Sequence, residues 1–274
     1  MHNITARLSF IEEKMKNASI AGQLDAARAV QQSHLIPNQS IPGITLHHHY
    51  RSAEKTGGDW YGNYYDEETT IMFTLIGDVT GHGLSSALVA AAAAGSAGQV
   101  FESIRNQPTD LASKLLTMAQ SLNQSVVYSG APSDKRMSML FLAINTQTGE
   151  ACYINAAHHP IFHRNGNGEI DVLCQPGYLL GEKQAKFIPI AFNIKPGDLL
   201  CLVTDGICEN PLEGGRSIGQ RGLINLLKDV GEISNIHQSL QETVNRFTIN
   251  DETDDSAFIL IEWQPERGIK KQSA

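Results

Sequence analysis

Apolar residues recur at alternating steps of four and three near the start of the chain, at Ile4, Leu8, Ile11, Met15 and Ala18, while Glu12, Glu13, Lys14 and Lys16 take the polar side. That spacing predicts an amphipathic helix over 1–36 with a short coiled-coil seam. The stripe continues through Ile20, Leu24, Ala27 and Val30, is loosened at Gly22 and stops at Pro37. Either it pairs with a second copy or transmits a signal, or it packs on its own domain.

Beyond Pro37 the pattern changes to short apolar runs separated by turn residues. Strands are predicted at 44–52, 59–65 and 70–79, the last two forming a hairpin across Asp66-Glu67-Glu68. A helix with an unusually small-sided surface follows, from near Leu84 through Ala87, Ala94, Gly95, Ala97 and Gly98, and a second helix spans 111–127. Further strands are read at 137–144, 150–155, 160–164 and 170–173, divided by Thr148-Gly149 and Asn165-Gly166-Asn167-Gly168, which permit tight turns. Lys195-Pro196-Gly197-Asp198 leads into a strand at 199–204, then helices at 222–229 and 234–247 precede a last strand at 258–263. Clustered strands with paired helices, rather than strict alternation, predict an α+β fold: antiparallel sheets with helices on their outer faces.

Composition narrows the picture. With 274 residues, 41% of them hydrophobic, the chain can bury a large core, and one main domain is expected. The formal charge of -8 disfavours a nucleic-acid binder. Cys152, Cys174, Cys201 and Cys208 form no CxxC pair and read as reduced, structural thiols. No apolar run was read as approaching the roughly 20 residues needed to cross a bilayer, and the N-terminus lacks a signal-peptide core, so a soluble chain is expected. His47-His48-His49 lies in a strand, where alternate side chains point to opposite faces; three such imidazoles do not converge on zinc.

The chemistry centres on Gly77-Asp78-Val79-Thr80-Gly81-His82-Gly83, which closes one apolar strand and opens the small-sided helix. A lone buried carboxylate at a strand end is costly and needs a cation or several donors. Similar settings hold Asp59 after Gly57-Gly58, Asp205 after the 199–204 run, and Asp254-Asp255 before the last strand. Carboxylates gathered from several strand ends suit Mg2+ or Mn2+, hard cations that take oxygen ligands and activate water.

The ordered set Gly57-Gly58-Asp59-Trp60-Tyr61, the 77–83 turn, Asn155-Ala156-Ala157-His158-His159-Pro160, Thr204-Asp205-Gly206 and Asp254-Asp255 resembles the metal-dependent type 2C (PPM) serine/threonine phosphatases, and within them the bacterial SpoIIE-like branch. The likeness runs from about Val30 to Glu262. It implies a sandwich of two antiparallel sheets flanked by helices, holding two divalent cations, Mn2+ or Mg2+, at one end. Asp78 would bridge them, Asp205 and Asp254 would complete one, and the carbonyl of Val79 would serve the other. Asp59 would reach the second ion directly or through water, with Asp255 supporting from behind. His82 is a candidate proton donor or a hydrogen bond holding the turn, and Arg51 a candidate phosphate ligand or an ordinary surface arginine. His158 and His159 are expected to support the fold or the edge of the site. Gly62, Asn145 and Ala257 depart from the family pattern and put outer support in doubt rather than any ligand.

The resemblance implies hydrolysis of phosphoserine or phosphothreonine by metal-activated water, on a partner such as an anti-sigma-antagonist-like STAS protein. It also implies a cytoplasmic setting, including the output end of a larger membrane-bound receptor. The alternatives are a catalytically weak partner-binding module and a small-molecule phosphate monoesterase. The division expected is 1–36 linker or dimerisation helix, 37–266 phosphatase domain and 267–274 tail.

Overall fold

In the computed structural model, residues 40–53, 56–228, 231–248 and 253–265, with the single positions 14, 22 and 29, are described. The expected N-terminal helix, its homodimer seam and the 267–274 tail lie outside the described residues.

Among them ten strands make two antiparallel sheets of five. One sheet runs in the order β1 (Ile44–Arg51), β10 (Ser256–Trp263), β9 (Leu199–Val203), β6 (Ile161–Arg164), β7 (Ile170–Leu173). The other runs β2 (Trp60–Asp66), β3 (Ile71–Val79), β4 (Met137–Asn145), β5 (Glu150–Ala156), β8 (Ile190–Asn193). The two faces of the strands divide the core. Met72, Ile76, Leu140, Leu142, Leu200, Leu202, Ile259 and Ile261 meet between the sheets. Alternate residues of the second sheet, among them Phe73, Leu75, Met139 and Phe141, are covered by α1 (Leu84–Ile104) and α2 (Leu111–Gly130). The outer face of the first sheet, with Phe162, Cys201, Phe258 and Leu260, is covered by α4 (Gly219–Lys228) and α5 (Ile233–Asn245). Burial on both faces is why these strands read as nearly continuous apolar runs instead of alternating ones.

The small-sided surface of α1 sets its packing. Ala87, Ala90, Ala93, Ala94 and Ala97 are buried, letting the helix lie close on β3 and α2, with Ser125 Oγ donating to the Ala92 carbonyl at 3.2 Å. By length and composition α1 is apolar enough to cross a membrane, with a mean hydropathy of 1.4 over its most apolar 18-residue window, contrary to the expectation that no apolar run approaches that length. Here that apolarity covers the sheet. Asp110 caps α2, accepting from Ser113 N at 2.7 Å.

Two elements escaped the sequence reading. Strand β8 has four residues within a long irregular stretch, and α3 (Asp205–Glu209) is a helix of five residues directly after β9. The helix is too short for a periodicity to register, and β8, no shorter than β6 or β7, lacks the glycine hairpin turn that marks that pair. The three histidines of β1 divide as the strand pleat requires: His47 stacks on His237 of α5 and His49 on Phe258, while His48 faces Tyr61. All four cysteines are free, and Cys174 is the exposed one.

Candidate metal centre

Four carboxylates stand at one end of the sandwich, two from each sheet. Asp59 immediately precedes β2 and Asp78 is the penultimate residue of β3, beside the pairing of Trp60 with Gly77. Asp205 opens α3 directly after β9, and Asp254 lies just before β10, where Phe258 pairs with Val203. The antiparallel register therefore delivers all four to the same edge. Gly58 brings the Asp59 loop against the 77–83 turn: Val79 N donates to Gly58 O at 3.3 Å, and a Cβ on Gly58 would stand 2.8 Å from the Val79 carbonyl oxygen. In the turn itself Gly81 and Gly83 have φ of 71° and 86°, in the left-handed region that favours glycine.

Around the carboxylates lies a frame of hydrogen bonds that the sequence reading did not assign. Thr204 Oγ1 donates to Asp59 Oδ2 at 2.7 Å and accepts from Ala257 N at 2.9 Å, joining a carboxylate of one sheet to a strand of the other. Asn210, 2% exposed, clamps the backbone of Asp254 twice: its Nδ2 donates to Asp254 O at 2.8 Å, and its Oδ1 accepts from Asp254 N at 2.7 Å. Asp255 accepts from Gly58 N at 2.6 Å, Ala53 N at 2.8 Å and Ser52 Oγ at 3.1 Å, so it ties the end of β1 to the glycine before Asp59. Gly206 is required by close approach, since a Cβ there would collide with the Asp255 carbonyl oxygen.

The electrostatics record the crowding. Burial, then the charges of Asp205, Asp254 and Asp255, push Asp78 up to about 8. Asp59 is raised well above the usual carboxylate range by burial and by Asp78 and Asp255, against the hydrogen bond from Thr204. Burial also raises Asp205 and Asp254; His159 draws Asp205 back down, and His82 does the same for Asp254. Clustered acids raising one another's proton affinity lack compensating cations.

Oxygen-only donors of this charge suit a hard divalent cation. Asp205 Oδ1 is buried with no hydrogen-bond partner, an uncompensated acceptor of the kind a cation satisfies. Among the described residues no three His, Cys, Asp or Glu side chains already stand as a closed ligand set. The fit is therefore one of donor type, burial and charge.

Two of the four, Asp78 and Asp205, open on a cleft of about 450 Å³ that Ser138, His158, His159 and Glu209 also line, while Asp59 is buried behind them. A larger hollow of about 750 Å³ at the far end of the second sheet is lined by Tyr65, Thr70 and Thr146, with Glu67 as its one carboxylate, and holds none of the expected site residues. His82 is exposed on the turn. Arg51 is directed to helix α5, its Nη1 donating to Val244 O at 2.6 Å, and it lines a small cavity that Asp254 also lines. Asn145 closes the β4–β5 turn, its Oδ1 accepting from Gln147 N at 3.0 Å and Thr148 N at 3.1 Å, away from the carboxylates.

Comparison with known proteins agrees with this architecture. Residues 69–264 match the family model described as stage II sporulation protein E (SpoIIE). Phosphoserine phosphatase RsbP of Bacillus subtilis (strain 168) is 22% identical over 244 residues, which is 88% of this chain and 57% of RsbP; the chain thus spans little more than half of that relative. The SiaA-PP2C domain of Pseudomonas aeruginosa superposes with a TM-score of 0.74 at 17% identity, covering 91% of this chain and 99% of that one. RsbX in complex with magnesium gives 0.60 at 18% identity, over 82% of this chain and 98% of its own. The fold is that of the PP2C-type phosphatase domains, and the chain belongs to the SpoIIE family.

Proposed function

We propose that this protein is a divalent-cation-dependent phosphoprotein phosphatase that hydrolyses phosphoserine or phosphothreonine on a signalling partner, with a small STAS-type protein as its substrate. The observation that carries the reading is the gathering of Asp59, Asp78, Asp205 and Asp254 from both sheets at one end of the sandwich, where Asp205 raises the proton affinity of Asp59, Asp78 and Asp254. Family membership supports the reaction class, and the name of RsbP, a phosphoserine phosphatase, supports the substrate class. The magnesium in the RsbX structure supports the choice of cation.

Asp78, Asp205, Asp254, Asp59 and the Val79 carbonyl would hold the cations, two in number. When bound there, Mg2+ or Mn2+ supplies the Lewis acidity that makes water acidic enough to attack and that offsets phosphoryl charge. In the overall reaction the oxygen of water bonds to phosphorus, the ester P–O bond breaks, and the seryl or threonyl oxygen takes a proton. His82, exposed on the 77–83 turn, would donate that proton. Asp255 and Asn210 keep the ligand-bearing loops in register. A thiol mechanism finds no support: Cys208, near Asp205 in sequence, is pushed up to about 12 by burial and stays protonated near neutral pH.

The test of substrate class is phosphate release from a phosphorylated STAS protein, unrelated phosphoproteins, sugar phosphates and nucleotides, all with Mn2+. Turnover concentrated on the STAS phosphoprotein is expected. Equal rates on all phosphoproteins would remove the partner assignment, and preference for the small molecules would remove the protein-phosphatase reading.

A further inference from the structure

His158 is half-buried in the wall of the cleft that Asp78 and Asp205 also line, and no step above uses it. Residues 157–160 carry the chain from β5 in one sheet to β6 in the other, next to the cleft. The turn is tightly specified. Asn155 Oδ1 accepts from His158 N at 2.7 Å, and Asn155 Nδ2 donates to His158 O at 2.9 Å and His159 O at 3.3 Å. Ala157 holds φ of 54°, a left-handed conformation that only the tertiary context sustains in a non-glycine residue.

The ring reaches back to the second sheet. Its Nδ1 lies 2.7 Å from Ser138 Oγ, and Ser138 is the register partner of Asp78 across β3 and β4. Burial and the neighbouring His159 hold the imidazole near a pKa of about 3. Its Nε2 is buried with no hydrogen-bond partner among the described residues, so Ser138 is the ring's anchor.

We propose that His158 is a positioning residue, a strut by which the turn between the sheets holds Ser138 and, through it, the β3–β4 edge that carries Asp78. The proposal rests on the reading of Asp78 and its neighbouring carboxylates as a cation site. It assigns a task to the histidine of the Asn155–Pro160 motif without contact to substrate: His158 acts through Ser138 on Asp78. Removing the strut leaves every ligand present but changes their spacing, which weakens the cation more than the fold.

The experiment compares wild type, Ser138→Ala, His158→Phe, His158→Gln and the Ser138→Ala/His158→Phe double variant by calorimetric Mn2+ titration and by thermal melting in chelator. Loss of a group that orients a metal ligand costs about 10- to 100-fold in metal affinity, and each of Ser138→Ala and His158→Phe is expected to show it. The double variant binds no more weakly than the weaker single, because both cut one connection. His158→Gln, which keeps a side-chain amide, recovers part of the loss. Ser138→Ala is expected to melt in chelator with wild type; if His158→Phe fails to fold, Ser138→Ala decides alone. Mn2+ affinity within about threefold of wild type, or losses that multiply in the double variant, would overturn the strut. Wild type that bound no Mn2+ would instead overturn the cation site, and the strut with it.

Discussion

Replacing Asp78 by Asn should stabilise the fold when cations are removed by chelator, although it destroys the centre. Asp78 has an ordinary pKa of 3.8 in the unfolded chain and about 8 in the folded one, raised first by burial and then by Asp205, Asp254 and Asp255. The unfolded chain therefore releases this proton near pH 4, while the folded chain retains it to about pH 8. Between those values unfolding releases a proton, so stability falls as pH rises and levels off above the folded value. At 1.36 kcal/mol per unit the gap from 3.8 to pH 7 makes the penalty on the order of 4 kcal/mol. Asn has nearly the same volume and carries no charge, so Asp78→Asn escapes it. Urea denaturation in chelator should place the variant up to about 4 kcal/mol above wild type at pH 7, with the difference closing near pH 4. A hundredfold excess of Mn2+ over Kd should add about 2.7 kcal/mol to wild type and nothing to the variant, narrowing the difference by that amount. A variant no more stable than wild type at pH 7 in chelator would refute the claim that the carboxylates strain one another.

Other perturbations probe the frame around the site. Ala157→Gly should stabilise by about 1 kcal/mol in urea melts, because glycine accepts the left-handed φ of 54° at which an L side chain is strained; an unchanged or lower midpoint would show that the turn carries no such strain. Gly206→Ala should cost roughly 1–3 kcal/mol and weaken Mn2+ binding, since its Cβ meets the Asp255 carbonyl oxygen. Wild-type melting and Mn2+ affinity in that variant would contradict the close packing of α3 on the 254–255 backbone. Thr204→Val should destabilise by about 1–3 kcal/mol, because it leaves Ala257 N without its acceptor and removes the hydroxyl that donates to Asp59, and Thr204→Ser should restore most of it. Equal melting of the Val and Ser variants would show that the hydroxyl has no such role.

Local chemistry made most of the sandwich legible. Thr148-Gly149 and Asn165-Gly166-Asn167-Gly168 read as hairpin turns because they permit backbone angles that other residues resist, and β4–β5 and β6–β7 pair across them. The layers followed from strand clustering. What escaped is short or non-local: α3 has five residues and no period to read, and β8 pairs with β5 from some forty residues away with no hairpin turn to mark it. The site was legible as residue types in order, but its frame was not. Thr204 and Asn155 stand inside quoted motifs, yet Thr204 meets Asp59 across 145 positions and Asn210 meets Asp254 across 44, separations that no local pattern encodes. Arg51 shows the converse. Its nearness to the 57–59 motif in sequence suggested a phosphate ligand, whereas the strand pleat turns it toward Val244 at the end of α5.

The most direct test of the central claim is release of phosphate from a phosphothreonine peptide by wild type and Asp205→Asn, with Mn2+, with Mg2+ and with chelator. Turnover that requires the cation and disappears in Asp205→Asn, with both proteins folded by circular dichroism, is the predicted result. Turnover that survives chelator, or that Asp205→Asn retains in full, would contradict it.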